Sequence, residues 1–283
     1  MSATEWSTLS PNDRLVARAR AVNRAATREP LFTHTSAAAL LGLPLFDVTT
    51  DSTHVASPVN GPGRSSGGLI RHRFDVQPED ITFRHHLRCT TPDRTVFDLA
   101  RSARAEAGLS CADAVLRAQF RTHRSIDRTG IDAWRAQMRE RVSESAGTRG
   151  LHTLRRVVDL ADPRADSVLE SISRLQFLRL GFNVDIQVPV PSPSGGHYFV
   201  DFELLGIGVL GECDGRSKYR SPLLRNGESA EEVVYREKRR HDWICGTTGK
   251  RMIRWGFAEA TTPTRMARML TAYGIAIPGG PSR

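Results

Sequence analysis

The chain has 283 residues, enough for two domains that each bury a core of their own. Its 40 Lys+Arg against 31 Asp+Glu leave a formal charge of +9, which points to a polyanionic partner, nucleic acid ahead of an anionic membrane. No apolar run approaches the ~18 residues of a spanning helix, and the opening MSATEWSTLSPNDR lacks the basic and apolar regions of a signal peptide, so no membrane partner and a cytoplasmic location are expected.

Residues 9–27 begin with a Ser10-Pro11 start signal and carry Leu15, Val16, Ala19 and Val22 at helical spacing. HTSAAALLGLP predicts a short helix from Thr35 or Ser36 to Leu41, closed by Gly42 and Pro44. The pair is either half of a helix-turn-helix or a small helical lid. From Phe46 to Arg88 the runs FDVTT, THVASPV, GLIRHRF and ITFRHHLRCT alternate with the turns NGPG and SSGG, which predicts a small antiparallel sheet. That sheet bears Arg64, Arg71, His72, Arg73, Arg84, His85, His86 and Arg88, either a solvated strand face or a track for phosphates. Thr91 before Pro92 starts the next helix, with Val96, Phe97, Leu99 and Ala100 behind it. Further helices are expected at 110–121, 128–143 and 148–161, with Trp134 and Met138 in their core. Together these make a basic α+β domain over 1–162, a candidate for DNA binding.

Pro163 and its flanking charges mark the boundary to a second domain, expected over 163–275 with a loose tail at 276–283. Its pattern predicts a helix (166–180), strands at 183–190, 197–204 and 207–213, a basic loop, a helix (229–245), a strand (251–255) and a last helix (260–273). This is an α/β domain with an α-β-β-β-α-β core. Four cysteines are scattered with no C-x-x-C spacing, so neither a zinc ribbon nor a disulfide framework is expected. The three lysines, Lys218, Lys238 and Lys250, all fall in one short segment, and lysine is the cation whose protonation can change usefully.

The strands FVDFELL and IGVLGE carry Asp201, Glu203, Glu212 and Asp214 where a sheet interior is normally apolar. Side chains alternate along a strand, so Asp201 and Glu203 share one side, and Glu212 and Asp214 likewise. If the strands pair, like charges are brought together in a partly dry site, which is costly unless something offsets them. Mg2+ or Mn2+, held by carboxylates from both strands and by water, is such an offset. A metal so held lowers the pKa of bound water and neutralises charge on a phosphate. Arg216, Lys218 and Arg220 follow directly and would face that phosphate. Glu170, on the helix SVLESISRLQFLRLGF, either completes the metal shell or is an exposed glutamate offsetting the helix dipole.

The run HYFVDFELLGIGVLGECDGRSKY with YREKRRHDWICGTTGKRMIRW resembles the PD-(D/E)XK nuclease superfamily, within it the domain related to very-short-patch-repair endonucleases. The matching positions are Val200-Asp201-Phe202, Glu212-Cys213-Asp214-Gly215, Lys218, Arg239 or Arg240 with Asp242, Gly249, and Ile253-Arg254-Trp255, and the likeness covers about 163–272. It implies a restriction-endonuclease-like fold, Asp201 and Glu212 as metal ligands, Glu170 as the helix acid, and a basic residue aiding the nucleophile or leaving oxygen. The lysine of E-x-K is Asp214 here, so that role passes to Lys218 or Lys238. The related repair enzymes also lack that lysine. LFTHTSAAALLGLPL and RCTTPDRTVFDLARS are similar to segments of AbiEi-type antitoxin and transcriptional-regulator proteins, which often carry such a domain at their C-terminus. Their usual winged helix-turn-helix has little room here before residue 34.

These patterns lead to the expectation of a metal-dependent, DNA-acting endonuclease, with Asp201, Glu212, Asp214, Lys218 and Glu170 at its centre. Arg216, Arg220, Arg236, Lys238, Arg240 and Arg254 of the second domain, and Arg71, Arg73, Arg84 and Arg88 of the first, would contact DNA. The alternative is a DNA-binding regulator or antitoxin, with a toxin as possible partner, whose nuclease-like domain is inactive. A third reading makes the acids and bases structural ion pairs. On the helix at 229–245, Asp242 is a candidate partner for Arg254.

Overall fold

Helix and strand signals both take effect, so the chain is mixed α/β, with 11 α-helices among the described residues. The computed structural model describes residues 3–59, 65, 67–215 and 230–278. None of the described helices is long and apolar enough to cross a membrane. The chain divides into two units, Met1–Asp166 and Ser167–Arg283. Pro163 falls inside the first, because Arg121 holds the carbonyls of Pro163 and Arg164 at 3.1 Å and the Asp166 carboxylate at 2.7 Å.

In the first unit α1 (Ala3–Thr8), α2 (Pro11–Ala25), β1 (Leu31–Phe32) and α3 (His34–Leu41) lead to β2 (Thr53–Ser57) and β3 (Leu69–Arg73). A 3-10 turn (Pro78–Asp80) precedes β4 (Ile81–Arg84), β5 (Leu87–Thr90), α4 (Pro92–Ser102) and α5 (Ala105–Phe120). The hairpin β6 (Arg121–Thr122) and β7 (Ser125–Ile126), then α6 (Arg128–Glu144) and α7 (Leu151–Leu160), complete it. The Ser10 and Thr91 hydroxyls cap α2 and α4 as predicted, accepting from Asp13 N at 3.2 Å and Arg94 N at 3.4 Å.

The five-stranded sheet, order β3-β2-β1-β5-β4, is mixed and not antiparallel: β2–β3 and β1–β5 run parallel. Residues 58–68 between β2 and β3 exceed the two to five of a tight hairpin and approach the dozen of a parallel crossover. FDVTT forms no strand, while the two-residue β1 is too short to show as a pattern. ITFRHHLRCT folds back at His85 and His86, both at positive φ (52° and 60°), as a two-residue hairpin turn requires. β1 intervenes between α2 and α3, so there is no tight helix-turn-helix link. Nor is α3 a lid, since His34 to Leu40 are all buried, Thr35 and Ser36 among them, and Thr33 takes the cap position. α5 begins earlier than expected and packs closely on α4; a Cβ on Gly108 would stand 2.9 Å from the Ala100 Cα. Trp134 and Met138 are core residues as expected.

The second unit comprises α8 (Val168–Arg179), β8 (Val184–Pro191), β9 (His197–Leu204), β10 (Val209–Cys213), α9 (Ala230–Thr248), β11 (Arg251–Trp255), α10 (Phe257–Ala260) and α11 (Pro263–Ala272). Its sheet runs β11-β10-β9-β8, antiparallel except for β10–β11. Phe177 of α8 meets Phe202 and Trp255 with ring centroids 5.5 and 5.2 Å apart. Trp255 lies so close over β10 that a Cβ on Gly211 would be 2.5 Å from its ring. Val190, Val200, Leu210 and Ile244 of α9 form a separate buried cluster. Ile275, the last residue of the expected domain, is buried and its amide donates to the Leu270 carbonyl at 2.9 Å; of the expected tail, residues 279–283 lie outside the described set.

Gly211→Ala should destabilise the second unit by about 1–3 kcal/mol, read as a lower calorimetric midpoint, because the Trp255 ring must shift. A pH effect is expected at Asp98 on α4. Burial raises its carboxyl from the ordinary 3.8 to about 6, against the opposing pull of Arg94, and its Oδ2 has no hydrogen-bond partner. Between those values the folded chain keeps a proton that the unfolded chain has lost, so this residue's contribution to stability falls as pH rises. The midpoint of Asp98→Asn minus that of wild type should be near zero at about pH 4 and grow in favour of Asn up to about pH 6. The difference isolates Asp98 from His54, whose pKa, lowered to about 4, acts with the opposite sign.

Candidate functional site

β9 and β10 pair from Leu204↔Val209 to Phe202↔Gly211, and the ladder ends there. Extending that register sets Asp201 opposite Glu212. Instead of a backbone pair, Asp201 Oδ2 accepts the Cys213 N–H at 3.0 Å and the Cys213 thiol at 3.5 Å. Arg240 of α9 reaches in from the helix and donates to the Phe199 carbonyl at 2.8 Å. The strands thus part at the acids, and side chains stitch the gap.

Glu212 is 7% exposed and sits beside Arg254 in the parallel β10–β11 register. Arg254 donates to its Oε2 at 2.7 Å, and Arg240 donates to its Oε1. A carboxylate this far from water is costly unless charged donors satisfy it, and here each oxygen has one. Asp214 stands 3.9 Å from the same Arg254. Arg254 thus serves Glu212 and Asp214, and no bond to Asp242 accounts for its place. Glu203 is taken by Lys250 Nζ.

Glu170 is not the exposed glutamate of the dipole reading, since it is 3% exposed. Its amide donates to the Ser167 hydroxyl at 3.2 Å, and that hydroxyl donates to Oε1 at 2.9 Å. Oε2 accepts from Gln187 Nε2 at 3.0 Å. Gln187 lies between the pairs Ile186↔Phe202 and Val188↔Val200, at the register position facing Asp201. Its φ of 53° is in the left-handed region, a strained place for glutamine that turns its amide out of the ladder. Glu170 thus bonds the β8 residue whose register position faces Asp201.

Arg216, Lys218 and Arg220 lie outside the described residues, as does Arg64. On α9, Arg236, Lys238 and Arg239 are exposed beside Tyr235, over whose ring Arg239 stands at 5.9 Å. The basic residues of the first unit do not form one track. Arg71 and Arg73 are on β3 at one edge of the sheet, Arg84 and Arg88 on β4 and β5 at the other, and Arg88 pairs with Glu29 at 3.7 Å.

Among the described residues, three donor atoms of His, Cys, Asp or Glu come within 4.8 Å of one another in one place, His34, His54 and His72, which could hold a metal ion. Glu170, Asp201, Glu212 and Asp214 do not gather three oxygens in this way. The sequence reading included His72 only as part of a basic strand and passed over the other two. Their separation along the chain follows no ligand spacing, so no local signal was there to find.

Glu212→Gln should lower the stability of the second unit by about 1–3 kcal/mol, the lower range for a broken buried pair because both guanidinium groups keep some solvent. Amide exchange along α9 should quicken with it; unchanged exchange would mean that the two arginines do not hold this helix.

Comparison with known proteins yields two curated relatives, the uncharacterized proteins MT2308 and Rv2248 of Mycobacterium tuberculosis, strains CDC 1551 / Oshkosh and ATCC 25618 / H37Rv. Each is 28% identical to this chain over 189 residues, 66% of the chain and 63% of the relative, so the chain spans less than two thirds of the proteins it matches. No family model matches, and no solved structure does.

Proposed function

We propose that this chain acts on DNA through a restriction-endonuclease-like second unit, with a phosphodiester site where β9 and β10 part. The observation that carries the reading is the bond from Gln187 to Glu170 at the register position facing Asp201, where the β9–β10 ladder ends beside the two arginines that hold Glu212. Hard carboxylate oxygens suit Mg2+ or Mn2+, and Asp201 and Glu170 would hold the ion. Such an ion supplies an activated water and offsets charge on the phosphate. Glu212, with both oxygens on guanidinium groups, would act differently from the ligand role that the resemblance implies. It would aim Arg240 and Arg254 at the phosphate, with Asp214 steadying Arg254, and Lys218, outside the described residues, would assist. Tyr235, Arg236, Lys238 and Arg239, exposed along α9, offer stacking and charge to the nucleic acid.

One observation favours a second reading, in which the unit binds DNA without cleaving it. The pairing of Glu212 with two arginines satisfies its charge without a metal. A regulator or antitoxin of this kind, with a toxin as its protein partner, needs only the basic surface.

Supercoiled-plasmid nicking in Mg2+ or Mn2+, beside gel retardation of the same plasmid, separates the two. For the nuclease, nicking should require metal and drop to background in Asp201→Ala and Glu170→Gln, while retardation stays close to wild type. Equal nicking in Asp201→Ala would overturn the assignment of that residue. Salt-sensitive retardation with no nicking in any metal would leave the DNA-binding reading in its place.

A further inference from the structure

Three imidazoles from three different elements of the first unit converge on one cavity. His54 on β2 and His72 on β3 lie on the same sheet face, because the parallel pairs are His54↔Ile70 and Ala56↔His72. His54 Nδ1 and His72 Nε2 stand 2.8 Å apart. His34, the first residue of α3, stacks on His72 with ring centroids 3.7 Å apart and planes 14° from parallel. Its backbone sits at φ 50°, a left-handed conformation unusual for a non-glycine residue and typical of functional sites.

Packing alone gives a poor account of this arrangement. His34 is buried and His54 and His72 are half-buried, and the polar contacts of their ring nitrogens are to one another and to Thr33. His34 Nδ1 is 3.0 Å from Thr33 Oγ1, and in the tautomer where that hydroxyl accepts, Nε2 carries the lone pair a metal would take. A hydroxyl or carboxylate on the far nitrogen is the usual orienting partner of a metal-bound histidine. Imidazole nitrogens on a tetrahedral zinc ion stand about 3.3 Å apart, so the His54–His72 pair needs only a small opening to accept one.

We propose that His34, His54 and His72 form a binding site for a divalent transition-metal ion of the zinc class, with its fourth position open to the adjoining cavity. Nitrogen donors suit zinc, cobalt or copper and not Mg2+, so this site is distinct from the one proposed in the second unit. The cavity, about 580 Å³, is lined by the three histidines, Ser52, Asp47 and Arg104 among others. Asp47 is held by Arg104 at 2.8 Å, and no described acid joins the three rings as a fourth ligand. Three protein ligands with one open position is the pattern of zinc sites that bind a water or an exogenous ligand, in contrast to closed structural sites.

The test is titration of Zn2+ and Co2+ into the untagged full chain after chelator treatment, alongside His54→Gln, His72→Gln and, as control, His85→Gln. One Zn2+ per chain should bind, with affinity at least about tenfold weaker in the first two variants and unchanged in the control. Asp201→Ala should bind Zn2+ as wild type does, which keeps this result separate from the nuclease reading. Bound Co2+ should show the visible bands of a tetrahedral nitrogen site without thiolate charge transfer, and the bands should shift when azide is added. Circular dichroism checks that the variants fold. Should they not fold, the wild-type cobalt spectrum still decides, since octahedral or thiolate bands would overturn the site. Absence of binding to folded wild type, or equal binding in His54→Gln and His72→Gln, would overturn it as well, and bands unmoved by azide would overturn the open position.

Discussion

A carboxylate taken out of water must be met by hydrogen-bond donors, and at Asp80 and Glu212 the donors are guanidinium groups. Asp80, 3% exposed, receives both nitrogens of Arg141 at 2.8 and 2.7 Å and Arg94 at 3.3 Å, joining the turn before β4 to α4 and α6. Glu212 is held in the same way between Arg240 and Arg254, joining β10 to α9 and β11. Arginine suits this work because its planar fork stays charged and satisfies two oxygens at once. Such pairs add little net stability over apolar packing, but each leaves an uncompensated charge if one partner is removed, so they set which elements must sit together.

The same constraint decides what the acids of the second unit can do. Glu203 and Glu212 each have a cation within bonding distance. Asp201 Oδ2 accepts from the Cys213 amide and thiol, and Glu170 accepts from the Ser167 hydroxyl and the Gln187 side-chain amide. Strand parting at Asp201 and the strained Gln187 beside it give that pair a fixed position, which a site for phosphate chemistry would need.

In the first unit, burial acts on histidine where it acts on acids elsewhere. The sheet is mixed, so β2 and β3 run in parallel and bring His54 and His72 to one face, while α3 delivers His34 from its first residue. Had β2 and β3 paired antiparallel, as in the expected sheet, the two strand histidines would have met in a different register. The topology, and not the ring chemistry, makes the cluster.

By itself the sequence determined the local features. Ser10, Thr91 and Ser167 start helices because their hydroxyls cap the first free amides. β9 runs from His197 to Leu204 because alternation and a turn mark it on either side. The sequence also made three acids on two adjacent strands, with Asp214 just beyond the second, conspicuous, since alternation places them at known offsets. Tertiary structure alone decided which charge meets which. Glu212 reaches Arg240 across 28 positions and Arg254 across 42, and Glu170 reaches Gln187 across 17. The three histidines come from separate elements in the same way. Such partners depend on strand order and register, which short-range pattern does not encode, and so the burial of Glu170 and the histidine cluster emerge only once the sheets are assembled.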